Sequence, residues 1–263
     1  MEKPVIGTYQ NHIFLSGRIA GIYENRHDEV RLALLVPRRR RDEEGVSRIV
    51  RDDDKKIVGN LFLVRFFDGA AESLKERYEV GDFVNVDAIA MTARNRYTCT
   101  DTIEIWGISI FPKAANGHFV PDLSTASFVG KVESVYSGKS RNGYDFTNIT
   151  IYTNVDKTVI RQDRTKGEEN FHTYLTLGVF TEEAMALAKT LNKGDWISCG
   201  GSVRSRKNGE IRRNTIGITR IEKLEDVSND TSKQETGTKE TAGEKPEDNT
   251  SVPVPEPTSS EEV

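Results

Sequence analysis

The sequence predicts an all-β chain with one short helix per domain, arranged as two tandem five-stranded barrels and a disordered acidic C-terminal tail. Three observations predict it. The chain repeats itself at an offset of 113 positions, which lays Gly17 on Gly130, Asp68 on Thr181, Leu74 on Leu187, and Arg94 on Lys207. The same offset lays Gly81, Asp82 and Phe83 on Gly194, Asp195 and Trp196. A repeat of this length exceeds a solenoid unit and matches a small domain, so one fold is used twice. Within each copy, short alternating strands flank a single helical stretch, and beyond Val227 apolar periodicity stops. The domains are read as 1–113 and 114–224, with the tail at 225–263.

In the first copy an alternating strand runs from Ile13 to Tyr23, with Gly17 giving the backbone freedom to bend or bulge. A second strand, Arg31 to Val36, leads into a long charged loop from Arg38 to about Val58. Strand three is Leu61 to Phe67. Asp68 follows as an expected N-cap, then Ala70, Ala71, Leu74 and Tyr78 on one helical face, and Gly81 as the stop. Strands four and five are Phe83 to Thr92 and Thr102 to Phe111. The second copy gives Ser127 to Tyr136, then Asp145 to Tyr152, the one strand needing a register shift of two or three positions. Strand three, Thr173 to Phe180, precedes Thr181 as N-cap, Ala184, Leu187, Ala188 and Leu191 at helical spacing, and Gly194. Trp196 to Arg204 and Asn214 to Ile221 complete it. Five strands with a helix between the third and fourth is the element order of the OB-fold, a partly open barrel that binds oligonucleotides or oligosaccharides.

Composition narrows the function. Residues 222–263 hold four lysines against twelve acids, a balance of −8, while the remainder holds 33 basic against 29 acidic residues, or +4. A mildly basic globular part with an acidic appendage points to a nucleic-acid surface. No apolar run approaches a membrane span and no signal pattern opens the chain, so a soluble cytoplasmic protein without membrane contact is expected. Two cysteines, Cys99 and Cys199, and four scattered histidines form neither a disulfide framework nor a metal spacing. No nucleophile–base pair or phosphate-binding glycine loop is present, and the three acids Asp52, Asp53 and Asp54 read as solvated charge. A binding protein rather than an enzyme is expected, with no cofactor and no metal.

The second copy carries a more specific signal. The run Asn148 to Thr153, the strand Tyr174 to Phe180, and Leu191 to Trp196 continuing through Gly200 to Lys207 resemble the core of bacterial and phage single-stranded DNA-binding proteins. In that family an "NITxAT"-like strand two, an aromatic strand three and a "KGxxVxVxGxxRxRxW"-like strand four recur in this order. The resemblance covers residues 127–221, and the first copy only through the repeat. It implies that Tyr174 and Phe180 occupy positions of DNA-stacking aromatics, and Tyr152 is a further candidate for DNA contact. Alternation agrees, because Leu175, Leu177 and Val179 would face the core and leave Tyr174, Thr176, Gly178 and Phe180 outside. A rival register uses Phe171 and His172 instead and turns leucines outward. In the first copy the outward set is Leu61, Leu63, Arg65 and Phe67. Aromatics in such places are also ordinary core filling, and both readings stay open.

Basic residues recur on equivalent loops. The turn between strands four and five carries Arg94, Arg96 and Tyr97 in the first copy, and Arg204, Arg206, Lys207, Arg212 and Arg213 in the second. The loop between strands two and three carries Arg38, Arg39, Arg40 and Arg41, against Lys157, Arg161, Arg164 and Lys166. Any one cluster could be a solvated loop, whereas four equivalent ones suggest phosphate tracking. The resemblance also has departures: Asn208 stands where the family has a tryptophan, and no tryptophan lies near Lys157. Glu261, Glu262 and Val263 keep the acids of the family's partner-docking tip with a smaller apolar end. The implied function is sequence-independent coating of single-stranded DNA in replication, recombination and repair, by a homodimer or a monomer, with replication or recombination proteins as partners of the tail. The divergence favours a phage or mobile-element source. Rival readings are a protein-interaction scaffold and a non-catalytic accessory subunit of a DNA-processing enzyme.

Overall fold

A computed structural model describes residues 9–25, 29–94, 100–113, 123–140, 142–155, 172–208 and 211–224. The described residues are mostly strand. In chain order they form β1 (Gln10–Glu24), β2 (Glu29–Pro37), β3 (Arg39–Arg41), β4 (Ser47–Ile49), β5 (Gly59–Phe67), α1 (Asp68–Arg77), β6 (Phe83–Arg94) and β7 (Asp101–Pro112). They continue with β8 (Leu123–Lys139), β9 (Asp145–Asn154), β10 (His172–Val179), α2 (Glu182–Ala188), β11 (Trp196–Asn208) and β12 (Ile211–Leu224). No helix among the described residues is long and apolar enough to cross a membrane.

The strands close into two rings. In the first, β1 pairs antiparallel with β2 and β6, β2 with β5, and β6 with β7, and a parallel contact of β5 with β7 at Val64 and Ile105 closes the circle. In the second, β8 pairs with β9 and β11, β9 with β10, and β11 with β12. There the parallel closure joins Gly178 of β10 to Gly217 of β12. This arrangement, with a helix between the third and fourth strands of each ring, agrees with an all-β OB-fold. Alternation fills each interior: Leu32, Leu34, Phe62, Val64 and Phe66 in one, Ile149, Ile151, Leu175, Leu177 and Ile218 in the other, all almost fully buried. Each such side chain contributes roughly 1.5–3 kcal/mol on removal from water.

The 113-residue offset reaches individual hydrogen bonds. Gly81 donates its amide to Ile19 O at 2.9 Å, and Gly194 to Val132 O at 2.8 Å. Both glycines sit at positive φ, 110° and 93°, where a side chain is disfavoured. The Asp82 carboxylate accepts from Glu79 N and that of Asp195 from Asn192 N, each at 2.8 Å. Bulges recur as well, after Ile19 and after Val132, and again after Asp87 and after Gly200.

The rings join along β1 and β8, antiparallel from Gln10 opposite Val129 to Ser16 opposite Leu123, centred on Ile13 and Ala126. Exchanging the two copies maps this register onto itself, so the interface is isologous within one chain. Reciprocal contacts follow. Thr92 N donates to Thr173 Oγ1 at 3.1 Å, and at the equivalent place Ser205 N donates to Asn60 Oδ1 at 3.4 Å. Asn11 Nδ2 reaches Ala90 O at 2.9 Å, as Ser124 Oγ reaches Val203 O at 2.6 Å. The rings accordingly belong to one compact unit.

Four expectations change. The charged loop after Val36 contains the hairpin β3–β4, with Arg40 opposite Arg48 and an Asp42 side chain that accepts from Val46 N at 2.8 Å. A hairpin with strands of three residues, five of the six polar, is too short to show apolar alternation. The register shift in the second strand is four positions: Arg18 faces Leu35, whereas its equivalent Lys131 faces Tyr152. Asp68 does not cap α1; Phe67 holds the cap position without a side-chain bond, and Asp68 itself takes φ 50°. Thr181 does cap α2, accepting from Ala184 N at 3.3 Å. The rival register at Phe171 and His172 fails, because Leu175, Leu177 and Val179 face the core; Phe171 itself lies outside the described residues.

Candidate nucleic-acid interface

The outer face of β9 and β10 is where the second ring leaves aromatic groups uncovered. With leucines on the inward parity, Tyr174 and Thr176 stand outward opposite Tyr152 and Thr150 of β9. Tyr174 is 51% exposed, with its ring 5.3 Å from that of Tyr152. Burial, and then the neighbouring Tyr174, hold the Tyr152 phenol above its ordinary pKa, so it stays neutral well past pH 7. Thr150 and Thr176 share a hydroxyl hydrogen bond of 3.1 Å between them.

Phe180 follows β10 and is 59% exposed. Its ring rests on the parallel closure of the barrel, where a Cβ at Gly217 would come within 2.8 Å and one at Gly178 within 3.2 Å of it. Glycine at both places gives the ring a flat floor. The Arg204 guanidinium lies 5.4 Å from the ring centroid. On the β11–β12 hairpin Arg206 stands opposite Arg213, and both are exposed, as Arg204 is. Arg212, opposite Lys207, turns toward the first ring and donates to Leu61 O at 3.2 Å. The hairpin therefore adds a cationic border of Arg204, Arg206 and Arg213 beside the aromatic face.

The same parity in the first ring yields a different surface. Phe67 is 8% exposed, edge-on to Trp106 at 5.0 Å in a satellite cluster with Ile89, Met91 and Val155. It presents no free face, so the core-filling reading applies to it. Arg65 is equally committed. It donates Nε and Nη2 to the two oxygens of Glu29 at 2.8 and 2.9 Å, and Nη1 to Glu104. Arg31 adds a third bond to Glu29 at 2.7 Å. Burial opposes charge on both partners, but these bonds outweigh it, lowering the Glu29 pKa and raising that of Arg65. Phe67 and Arg65 thus leave the set of outward-facing candidates. Arg94 is exposed opposite Asp101, and Arg38 and Arg40 are exposed near β3. Arg96, Tyr97 and the tail residues Glu261, Glu262 and Val263 lie outside the described residues.

No protein-family model and no curated protein matches this sequence. Solved structures do. A deletion variant of the single-stranded DNA binding protein from Thermus aquaticus matches with a TM-score of 0.59 at 17% identity, over 85% of this chain and 98% of its own. The wild-type protein from Thermus aquaticus gives 0.56 at 16% identity, over 84% and 95%. The chain shares the fold of that single-stranded DNA binding protein. The likeness spans more of the chain than one ring contains.

Within this shared fold, sequence reasoning missed several residues. Tyr9, just before β1, packs 4.7 Å from Trp196 and 5.8 Å from Tyr152; His172, by contrast a candidate from the sequence, lies 4.4 Å from Tyr152. Tyr136 and Tyr144 are exposed near the turn between β8 and β9, with Phe146 5.7 Å from Tyr136. Trp196 had a usable signal, since the repeat sets it on Phe83 at the start of strand four. Tyr9 had none. Among the described residues no group of three His, Cys, Asp or Glu could hold a metal ion, and the Cys199 thiol, pushed up to about 12 by burial, is inert near neutral pH.

Proposed function

We propose that this chain binds single-stranded DNA without sequence preference and coats it during replication, recombination or repair, as a non-catalytic protein. The single observation that carries the reading is the open aromatic face of Tyr174 and Phe180 beside the cationic border of Arg204, Arg206 and Arg213. Each base has a π-face that such rings can stack on, and each phosphate met by an arginine releases counterions. The name of the Thermus aquaticus proteins, which share the fold, points the same way. In this reading residues 1–113 and 114–224 are tandem OB-folds, 225–263 is an acidic tail that recruits partners, and the chain acts as a homodimer or monomer in the cytoplasm, on the nucleoid or in a phage host.

The two rings divide the work. Tyr174 and Phe180 give the second ring stacking positions, whereas Arg65 and Phe67 are consumed by internal contacts in the first. The first ring then serves as scaffold or partner surface, a role favoured by its exposed Leu63, Phe83 and Val80. Fluorescence anisotropy of a labelled oligo-dT, titrated at two salt concentrations against duplex DNA and single-stranded RNA as competitors, tests the proposal. Tight, salt-sensitive binding that duplex does not displace is the expected result. An oligo-dT that stays free even at low salt would overturn it.

A further inference from the structure

Four neighbouring strands of the second ring place one residue each in a single register row: Tyr174 on β10, Tyr152 on β9, Lys131 on β8 and Trp196 on β11. Across three inter-strand intervals the row is about 14 Å long. Its rings are continuous. Tyr174 meets Tyr152, Tyr9 bridges Tyr152 to Trp196 at centroid distances of 5.8 and 4.7 Å, and the Lys131 ammonium sits 5.1 Å from the Trp196 ring. Lys131 is exposed and Trp196 only half-buried, so the far end of the row is open to solvent.

The repeat supplies an independent observation. At the same two positions of the first ring, Arg18 lies 5.8 Å from the ring of Phe83, which is 55% exposed. Both copies therefore keep a cation beside an aromatic at the start of strand four, exposed in the first ring and half-buried in the second, although neighbouring positions differ: Leu35 and Leu61 stand where the second ring has Tyr152 and Tyr174. Core packing does not require an exposed aromatic there.

We propose that Trp196 and Lys131 form a second nucleotide subsite, reached when the single strand leaves the β9–β10 face at Tyr174 and crosses β9 and β8 toward β11. A base stacks on Trp196 and its phosphate pairs with Lys131. Tyr9 closes the side of the row and orients the indole. This inference rests on the single-stranded DNA reading above and adds a path and a second anchor to it.

The chain has two tryptophans, Trp106 and Trp196, and Trp106 is buried in the first ring. In a Trp106→Phe variant, emission reports on Trp196 alone. Oligo-dT should quench that emission in step with the anisotropy of the labelled oligonucleotide, and Trp196→Leu in the otherwise native chain should weaken binding about 5- to 150-fold. Unchanged emission while anisotropy reports full binding would overturn the subsite and leave the general reading intact. Absence of binding in the native chain would overturn both. Should Trp106→Phe fail to fold, acrylamide quenching of the native chain gives the same answer: oligo-dT must shield the accessible tryptophan, and unaltered accessibility in the bound state refutes the subsite.

Discussion

Glu29 is the most consequential side chain outside the aromatic face, because four N–H groups, two of Arg65 and one each of Arg31 and Asn25, converge on a carboxylate only 6% exposed. Replacing it with Gln removes the charge and leaves Arg65, 19% exposed on its side chain, with Glu104 as its remaining acidic partner. Breaking a fully buried pair costs about 3–5 kcal/mol, and an exposed pair is worth about 0–1 kcal/mol. With one partner buried and the other partly screened, Glu29→Gln should destabilise the chain by about 2–3 kcal/mol. The pH dependence has a definite sign. Glu29 has a lowered pKa in the folded chain, so its contribution is complete above the unfolded value of about 4.3 and is lost as pH falls through the folded one. Urea unfolding at pH 7 and pH 3, on the native chain, Glu29→Gln, Arg65→Met and the double variant, measures both the loss and the coupling. The gap between native and Glu29→Gln should narrow at pH 3, and Arg65→Met should leave oligo-dT affinity within about twofold. A loss below about 0.5 kcal/mol at pH 7, or a large fall in affinity on removing Arg65, would refute the account of this network as internal to the first ring.

Other outcomes are equally specific. Tyr174→Ala and Phe180→Ala should each weaken oligo-dT binding by about 1–3 kcal/mol while shifting stability little, since both rings are exposed; anisotropy and thermal melts separate the two effects. Changing Arg204, Arg206 and Arg213 to Gln should lower the slope of log K against log salt by about 0.7 for each phosphate no longer neutralised, read from salt titrations. Thr181→Ala should cost about 1 kcal/mol of stability by uncapping α2, whereas Asp68→Ala should cost no cap energy, measured by urea unfolding. Deleting residues 225–263 should tighten oligo-dT binding at low salt if the acidic tail competes with DNA, and an unaltered affinity excludes that competition.

Residue order alone determined most of the architecture. Strand parity set Leu175, Leu177 and Val179 inward and Tyr174 and Phe180 outward, because alternate side chains leave a strand on opposite faces. The 113-residue repeat was local information too: Gly81 and Gly194 mark the same turn and carry the same hydrogen bond. What the linear pattern did not contain were choices made by partners distant in sequence. Phe67 and Phe180 share a repeat position, yet one packs on Trp106 and the other lies open beside Arg204, since the places of Trp106 and Met91 that cover Phe67 are taken by Thr219 and Arg204 in the second ring. Arg65 reads as a free cation until the pairing of β2 with β5 brings Glu29 against it. Tyr9 joins Trp196, 187 positions away, only because β1 and β8 pair about Ile13 and Ala126. Periodicity reports which face a residue takes, and tertiary packing decides what that face meets.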